Sequence, residues 1–171
     1  MKKVKQKFIV GSIFKIPLEN QRFAYGRILD EQIAVYDFIN PSNKNDPEVE
    51  LIILQPVLFY VFIYQSVITE GHFEIIGFIK LTQEEIEKIP PYFNQDAINI
   101  NDCVIFYQDA RVPAYKATAQ DCIGLEGGVR YDFKDVKKRI EDYYAGNKNN
   151  FVEYDKVILS TDDERYNDGY K

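Results

Sequence analysis

The chain has 171 residues, 46% of them hydrophobic and 28% charged, a composition that excludes an intrinsically disordered protein. Its length suits one ordinary domain whose core needs no disulfide or metal staple. With 21 basic and 27 acidic residues the formal charge is −6, which argues against a nucleic-acid partner read through a basic footprint.

Near the N-terminus, Lys2, Lys3, Lys5 and Lys7 precede the apolar run Phe8–Phe14, superficially a secretion signal. Lys15 interrupts that run and no small-residue cleavage site follows, so a leader is rejected. Ser12–Leu18, Arg22–Leu29 and Gln32–Ile39 are apolar, aromatic and β-branched, separated by two or three turn residues. Such spacing predicts sequential antiparallel strands. Gly26 falls inside the second of them, where a missing side chain lets a ring or a neighbouring backbone approach closely. Asn40–Pro47 is loop by composition.

Leu51–Ile68 approaches membrane-spanning length, but Gln55-Pro56 divides it. A proline would cost about 3 kcal/mol inside a helix. Two strands, Glu50–Leu54 and Val57–Ile68, are expected instead, and no membrane partner. After a turn at Glu70-Gly71, a further strand is expected over His72–Leu81. Thr82-Gln83-Glu84-Glu85 has the spacing of a capping box and predicts a short helix over 82–89, ended by Pro90-Pro91.

Phe133, Val136, Ile140, Tyr143 and Tyr144 form one stripe at helical spacing. Asp132 is placed to cap the start of that helix over 133–145, and Gly146 to close it. Lys134, Lys137, Lys138 and Arg139 lie off the stripe as a solvated face. Phe151–Leu159 reads as a last strand, and 161–171 as a frayed acidic tail. The fold class expected is α+β. It comprises a single domain over 1–171, with an antiparallel, strongly bent sheet or small SH3-like barrel in the N-terminal half. The 12 Phe, 13 Tyr and absent Trp suit such pleated surfaces.

Candidate chemistry is sparse. His72 is the one histidine, so neither a His–His metal pair nor a relay with a spare base can be built. Glu74 shares its strand face two residues on. Cys103 and Cys122 lack CxxC spacing and read as buried, reduced, inert thiols of a cytoplasmic protein. Gly124-Leu125-Glu126-Gly127-Gly128 carries an acid and no P-loop lysine, so it reads as a turn rather than a phosphate cradle. No cofactor, metal or catalytic set is expected. The stretch from Glu70 to Asp109 holds eight acids against Lys80 and Lys88. That is either a solvated face or a surface that meets a basic partner.

Several motifs carry a family likeness. Gly11–Leu18, which includes Pro17, and Phe23–Leu29, which includes Tyr25, Gly26 and Arg27, resemble the opening of the immunity protein 26 family. Phe59, then Gly71-His72-Phe73 leading to Ile76-Gly77, are similar to that family's central strands. Asp121–Glu126, with Cys122, Gly124, Leu125 and Glu126, followed by Tyr131, Val136, Arg139 and Ile140, resembles its C-terminal signature. The likeness spans about residues 8–145. Phe73 and Tyr131 stand where the family pattern has tryptophan.

The resemblance implies an immunity protein of a bacterial polymorphic toxin system, not an enzyme, that binds a cognate toxin domain, with a basic nuclease as one candidate. On that reading the docking residues expected are Glu84, Glu85, Glu87, Tyr92, Phe93, Asp96 and Asp102. Two other readings stay open. One is an SH3-like adapter that binds a peptide along aromatic strands; the other is a small enzyme using His72 and Glu74.

Overall fold

The computed structural model describes residues 5–41 and 45–168. The chain begins with strands β1 (Ser12–Pro17), β2 (Arg22–Ile28) and β3 (Gln32–Pro41), then helix α1 (Val49–Ile53). Strand β4 (Val57–Ile63), helix α2 (Ser66–Thr69), strand β5 (Glu74–Phe78) and helix α3 (Gln83–Glu87) follow. Next come β6 (Tyr92–Gln95), β7 (Cys103–Phe106), β8 (Tyr115–Ala117), β9 (Glu126–Gly127) and β10 (Arg130–Tyr131). Helices α4 (Phe133–Ala145), α5 (Asn150–Asp155) and α6 (Glu164–Asp168) complete an α+β fold.

These elements gather into two compact units. The first is Met1–Ile89 with Arg130–Asn149, and the second is Pro90–Val129 with Asn150–Lys171. In the first unit a six-stranded sheet runs β10-β4-β3-β2-β1-β5, open at both ends rather than closed into a barrel. Neighbours pair antiparallel except β10, which joins β4 in parallel. Register shifts at Ile13/Phe14, Ala24/Gly26 and Val35/Tyr36 bend the sheet, as bulges do. Of the two architectures expected, the bent sheet is the one formed.

Alternation along the strands gives that sheet two buried faces. On one, Phe14, Ile16, Ala24, Ile28, Ile33, Val35, Phe59, Val61 and Ile63 pack with Val67 and Ile68 of α2 and Val136 and Ile140 of α4. On the other, Ile13, Tyr25 and Tyr36 pack with Ile52 of α1. Gly26 pairs with Phe14 across β1 and β2. A Cβ at Gly26 would come within 2.5 Å of the Phe14 ring and 2.8 Å of the Ala34 carbonyl oxygen. The close approach expected at this glycine is therefore present, and a ring fills it.

Both expected caps form. The Thr82 hydroxyl accepts from the Glu85 amide, while the Glu85 carboxylate accepts from the Thr82 amide. At α4 the Asp132 carboxylate accepts from the amides of Lys134 and Asp135, and Asp135 reaches back to the Asp132 amide. The C-terminal end closes on Gly146 in the left-handed region at φ 70. There the Gly146 amide bonds the Tyr143 carbonyl and the Asn147 amide bonds the Asp142 carbonyl, a Schellman closure.

Five expectations need correction. Glu50–Leu54 is helical rather than extended: Val49, Ile52 and Ile53 share one turn and face the sheet, leaving Leu51 and Leu54 exposed. The strand expected over 57–68 stops at Ile63, because Val67 and Ile68 reach the core from a helical turn. The stretch 72–81 pairs only over Glu74–Phe78. Phe151–Leu159 begins as helix α5 rather than a strand. The α4 stripe also ends early, since Tyr143 and Tyr144 stay partly exposed and the Tyr144 hydroxyl donates to Asp37 on β3 at 2.6 Å.

The second unit carries a four-stranded sheet, β8-β7-β6-β9, in which β9 joins β6 in parallel. Its core holds Phe93, Cys103, Ile105, Ala119 and Cys122. The Gln95 side chain links the sheet to the C-terminal segment by donating to the Ile158 carbonyl and accepting from the Ile158 amide. In the region expected to fray, α6 forms and Arg165 donates to the carbonyls of Glu153, Tyr154 and Lys156 while pairing with Asp163. Residues 169–171 of that tail lie outside the described residues.

Two substitutions test this core. Ile140→Ala should lower stability by about 2–5 kcal/mol in denaturant unfolding, the range for large-to-small core changes. Gly26→Ala should cost about 1–3 kcal/mol although it adds one carbon, because ring and carbonyl on either side are fixed. A Gly26→Ala protein as stable as the original would remove the close contact from the account.

Candidate functional site

The positions that carry the family likeness are mostly interior. Arg27 is 1% exposed, and its guanidinium donates to Glu85 Oε1 at 2.6 Å and to the Ile79 carbonyl at 2.8 Å. One turn of α3 is thereby tied to the middle of the sheet. Tyr25 is buried, and its hydroxyl donates to Asp46 and accepts from Asn40. Burial pushes that phenol up to about 12, so it remains a neutral hydrogen-bonding group. Gly77 lies against Val49 of α1. Tyr131 is buried, and Arg139 donates to its hydroxyl at 3.1 Å while lying 4.1 Å from the Phe59 ring centroid. These residues build the first unit. Pro17 is exposed at the end of β1.

In the second unit Cys122 is a buried free thiol beside Cys103. Burial and then the neighbouring thiol raise it to about 11, so it is protonated at neutral pH. Gly124 is exposed in the left-handed region at φ 84, and Leu125 and Glu126 lead from it into β9.

The seven expected docking residues are divided between the two units. Glu84, Glu85 and Glu87 belong to the first unit, and Tyr92, Phe93, Asp96 and Asp102 to the second. The α3 acids are already engaged: Glu84 with Lys88 at 2.6 Å, Glu85 with Arg27 and the helix cap, and Glu87 with the Gln83 amide. Tyr92 is fully buried and Phe93 is 4% exposed, so as core residues of β6 they have no surface to offer a partner. Phe93 is covered by Cys103, Ile105, Ala119 and Cys122, and the Tyr92 ring lies 6.1 Å from that of Phe106 on the neighbouring strand. Asp96 and Asp102 are exposed, and the Asp96 carboxylate accepts from the amides of Ile98 and Asn99, which hold its pKa below the ordinary aspartate value.

His72 and Glu74 turn to different partners. The His72 ring stacks on Phe133 at 3.8 Å and its Nε2 lies 3.4 Å from Glu70, whereas Glu74 pairs with Lys15. The rings along β1–β4 at Phe14, Tyr25, Tyr36 and Phe59 are buried, which leaves them unable to line a peptide groove.

What sequence reading missed is the distribution of charge over the units. The segments of the first unit contain 16 basic and 16 acidic residues, and those of the second contain 5 and 11. The entire net charge of −6 therefore belongs to the second unit. Counting could have found this only with the unit boundaries in hand. That unit also holds a groove of about 410 Å³ between Ile123–Gly127 on one side and Val152, Asp155–Val157 and Leu159 on the other.

The buried pair gives a pH test. Burial alone pushes the Glu85 carboxyl up, but the Thr82 amide, the Arg27 guanidinium and the Thr82 hydroxyl outweigh it and hold it below the ordinary value. A depressed acid stabilises the fold above its unfolded pKa, about 4.5, and loses that contribution as pH falls through its folded value. Glu85→Gln should cost on the order of 3 kcal/mol at pH 7, since the buried Arg27 charge loses its carboxylate. The gap should narrow as pH falls below about 4.5 in urea titrations.

A family model described as immunity protein 26 matches residues 9–104, more than half of the chain. No curated protein and no solved structure matches it. The match takes in β1 to β6 and the start of β7, with Tyr25, Gly26, Arg27 and Gly77 among the residues that shape the first unit. On this evidence the chain belongs to the immunity protein 26 family.

Proposed function

We propose that this chain protects a bacterial cell by binding, one to one, the toxin domain of an effector from a polymorphic toxin system, and that it turns over no substrate. Family membership carries the reading. Its site of action is the cytoplasm, where an unsecreted toxin would do its damage.

The chemistry of the chain supports binding over turnover. Among the described residues no group of three or more His, Cys, Asp or Glu is arranged to hold a metal ion. The His72 ring stacks on Phe133, and Glu74 pairs with Lys15. No described helix is long and apolar enough to cross a membrane. Inhibition by docking needs only a complementary surface on a stable scaffold, and the interior placement of Tyr25, Arg27 and Tyr131 suits a scaffold.

Co-expression with the toxin domain encoded by the adjacent gene should restore growth. In a purified assay, toxin activity should fall linearly with added chain and reach zero at a ratio of one to one. Complete inhibition by a small fraction of an equivalent would indicate turnover and sink the stoichiometric reading. No protection at any ratio would sink the immunity role for that pair.

A further inference from the structure

The neutral first unit supplies no net attraction for a charged partner, whereas the second carries six more acids than bases. Its described ion pairs are Arg111–Asp109, Lys156–Glu153 and Arg165–Asp163. Each joins one base to one acid and so leaves that excess unchanged. Several of the acids are fixed in their ionised form by local donors. The Thr118 hydroxyl and amide both bond Asp121, and two backbone amides bond Asp96. The acidic field therefore persists well below neutral pH.

Within this unit the groove beside β9 combines charge with apolar surface. Ile123 on one wall and Leu159 on the other are 51% and 53% exposed, large aliphatic side chains that the unit's own core does not cover. Glu126 and Asp155 line the same groove with Lys156, which is paired with Glu153. Aliphatic rims set in an acidic field fit a protein surface that presents an apolar side chain flanked by Lys or Arg.

The geometry points to this groove, and not to the acids of α3, as the face on which the chain docks a basic protein. The inference rests on the proposed toxin-binding role and names where that binding happens. Long-range attraction comes from the excess acids of the second unit, and retention comes from burying Ile123 and Leu159. Fast, salt-sensitive association and a dissociation rate set by the aliphatic contacts follow from this division of labour.

The test uses the full chain, the toxin domain from the adjacent gene, and a decalysine peptide as a probe independent of that toxin. One variant carries Asp102→Lys, Asp162→Lys and Glu164→Lys; a second carries Ile123→Ser and Leu159→Ser; the control carries Glu84→Lys and Glu87→Lys on α3. Both second-unit variants should weaken toxin binding by about tenfold or more, and the charge variant should also flatten its salt dependence. The α3 control should stay within about threefold. Decalysine at low salt should shift amide NMR signals in the second unit and leave those of the first in place. Should the serine variant fail to fold, the charge variant decides alone.

Loss of binding in the α3 control with both second-unit variants intact would overturn the inference. So would decalysine shifts centred on the first unit. A wild-type dimer that these second-unit variants dissociate would make the occupant a second copy and overturn it as well. If the wild type ignores the toxin domain while decalysine still maps to the second unit, the proposed role fails and the basic-protein face stands.

Discussion

The first unit is organised around a side chain that is not there. The Phe14 ring lies over Gly26 on the neighbouring strand and stacks on Phe73 at 5.6 Å between centroids. Any Cβ at residue 26 would displace the ring, and with it the layer that α2 and α4 cover. The next residue, Arg27, points to the opposite face, where it reaches Glu85 and the Ile79 carbonyl. Two consecutive residues of β2 thus hold both faces of the sheet, one by leaving room and the other by supplying charge. An arginine buried this deeply is tolerated because a carboxylate and a carbonyl accept hydrogen bonds from its two terminal nitrogens, while its Nε is buried without a partner. Glu85 satisfies this need with the same carboxylate that caps its own helix.

Local chemistry was well written in the sequence. Thr82 and Glu85, Asp132, and Gly146 each act within a few residues of themselves, so their spacing sufficed to place two helix starts and one helix end. The strands of the N-terminal half were equally legible, since their alternation and short turns leave few other pairings. The stretches that misled were short and apolar. Over 49–53 and 150–155 the sequence supports strand or helix almost equally; over 49–53 tertiary packing decides the outcome, with Val49 and Ile52 against the sheet. Tyr92 and Phe93 are buried, and for Phe93 the cover includes Ala119 and Cys122, well beyond it in sequence.

Several positions that carry the family likeness shape the interior of the first unit. Tyr25, Gly26, Arg27, Gly77 and Tyr131 are fold-makers whose side chains or missing side chains face inward. Residues 105–129 and 150–168, which carry most of the second unit, lie beyond the matched segment. Under the proposed docking role, residues displayed on the second unit can change without disturbing the interior of the first.

The discontinuity of the first unit has a bearing on how the chain acquires its structure. Its sheet begins at residue 12, yet β10 and α4, which supply Tyr131, Val136 and Ile140 to its core, come after 40 residues that belong to the second unit. A ribosome adding roughly 5–20 residues per second leaves the first five strands waiting for several seconds with one face uncovered. Closing that core joins residues more than a hundred positions apart, the kind of long-range pairing that slows folding. The stretch of sheet that α4 finally covers is thus, during synthesis, the surface in greatest need of a chaperone.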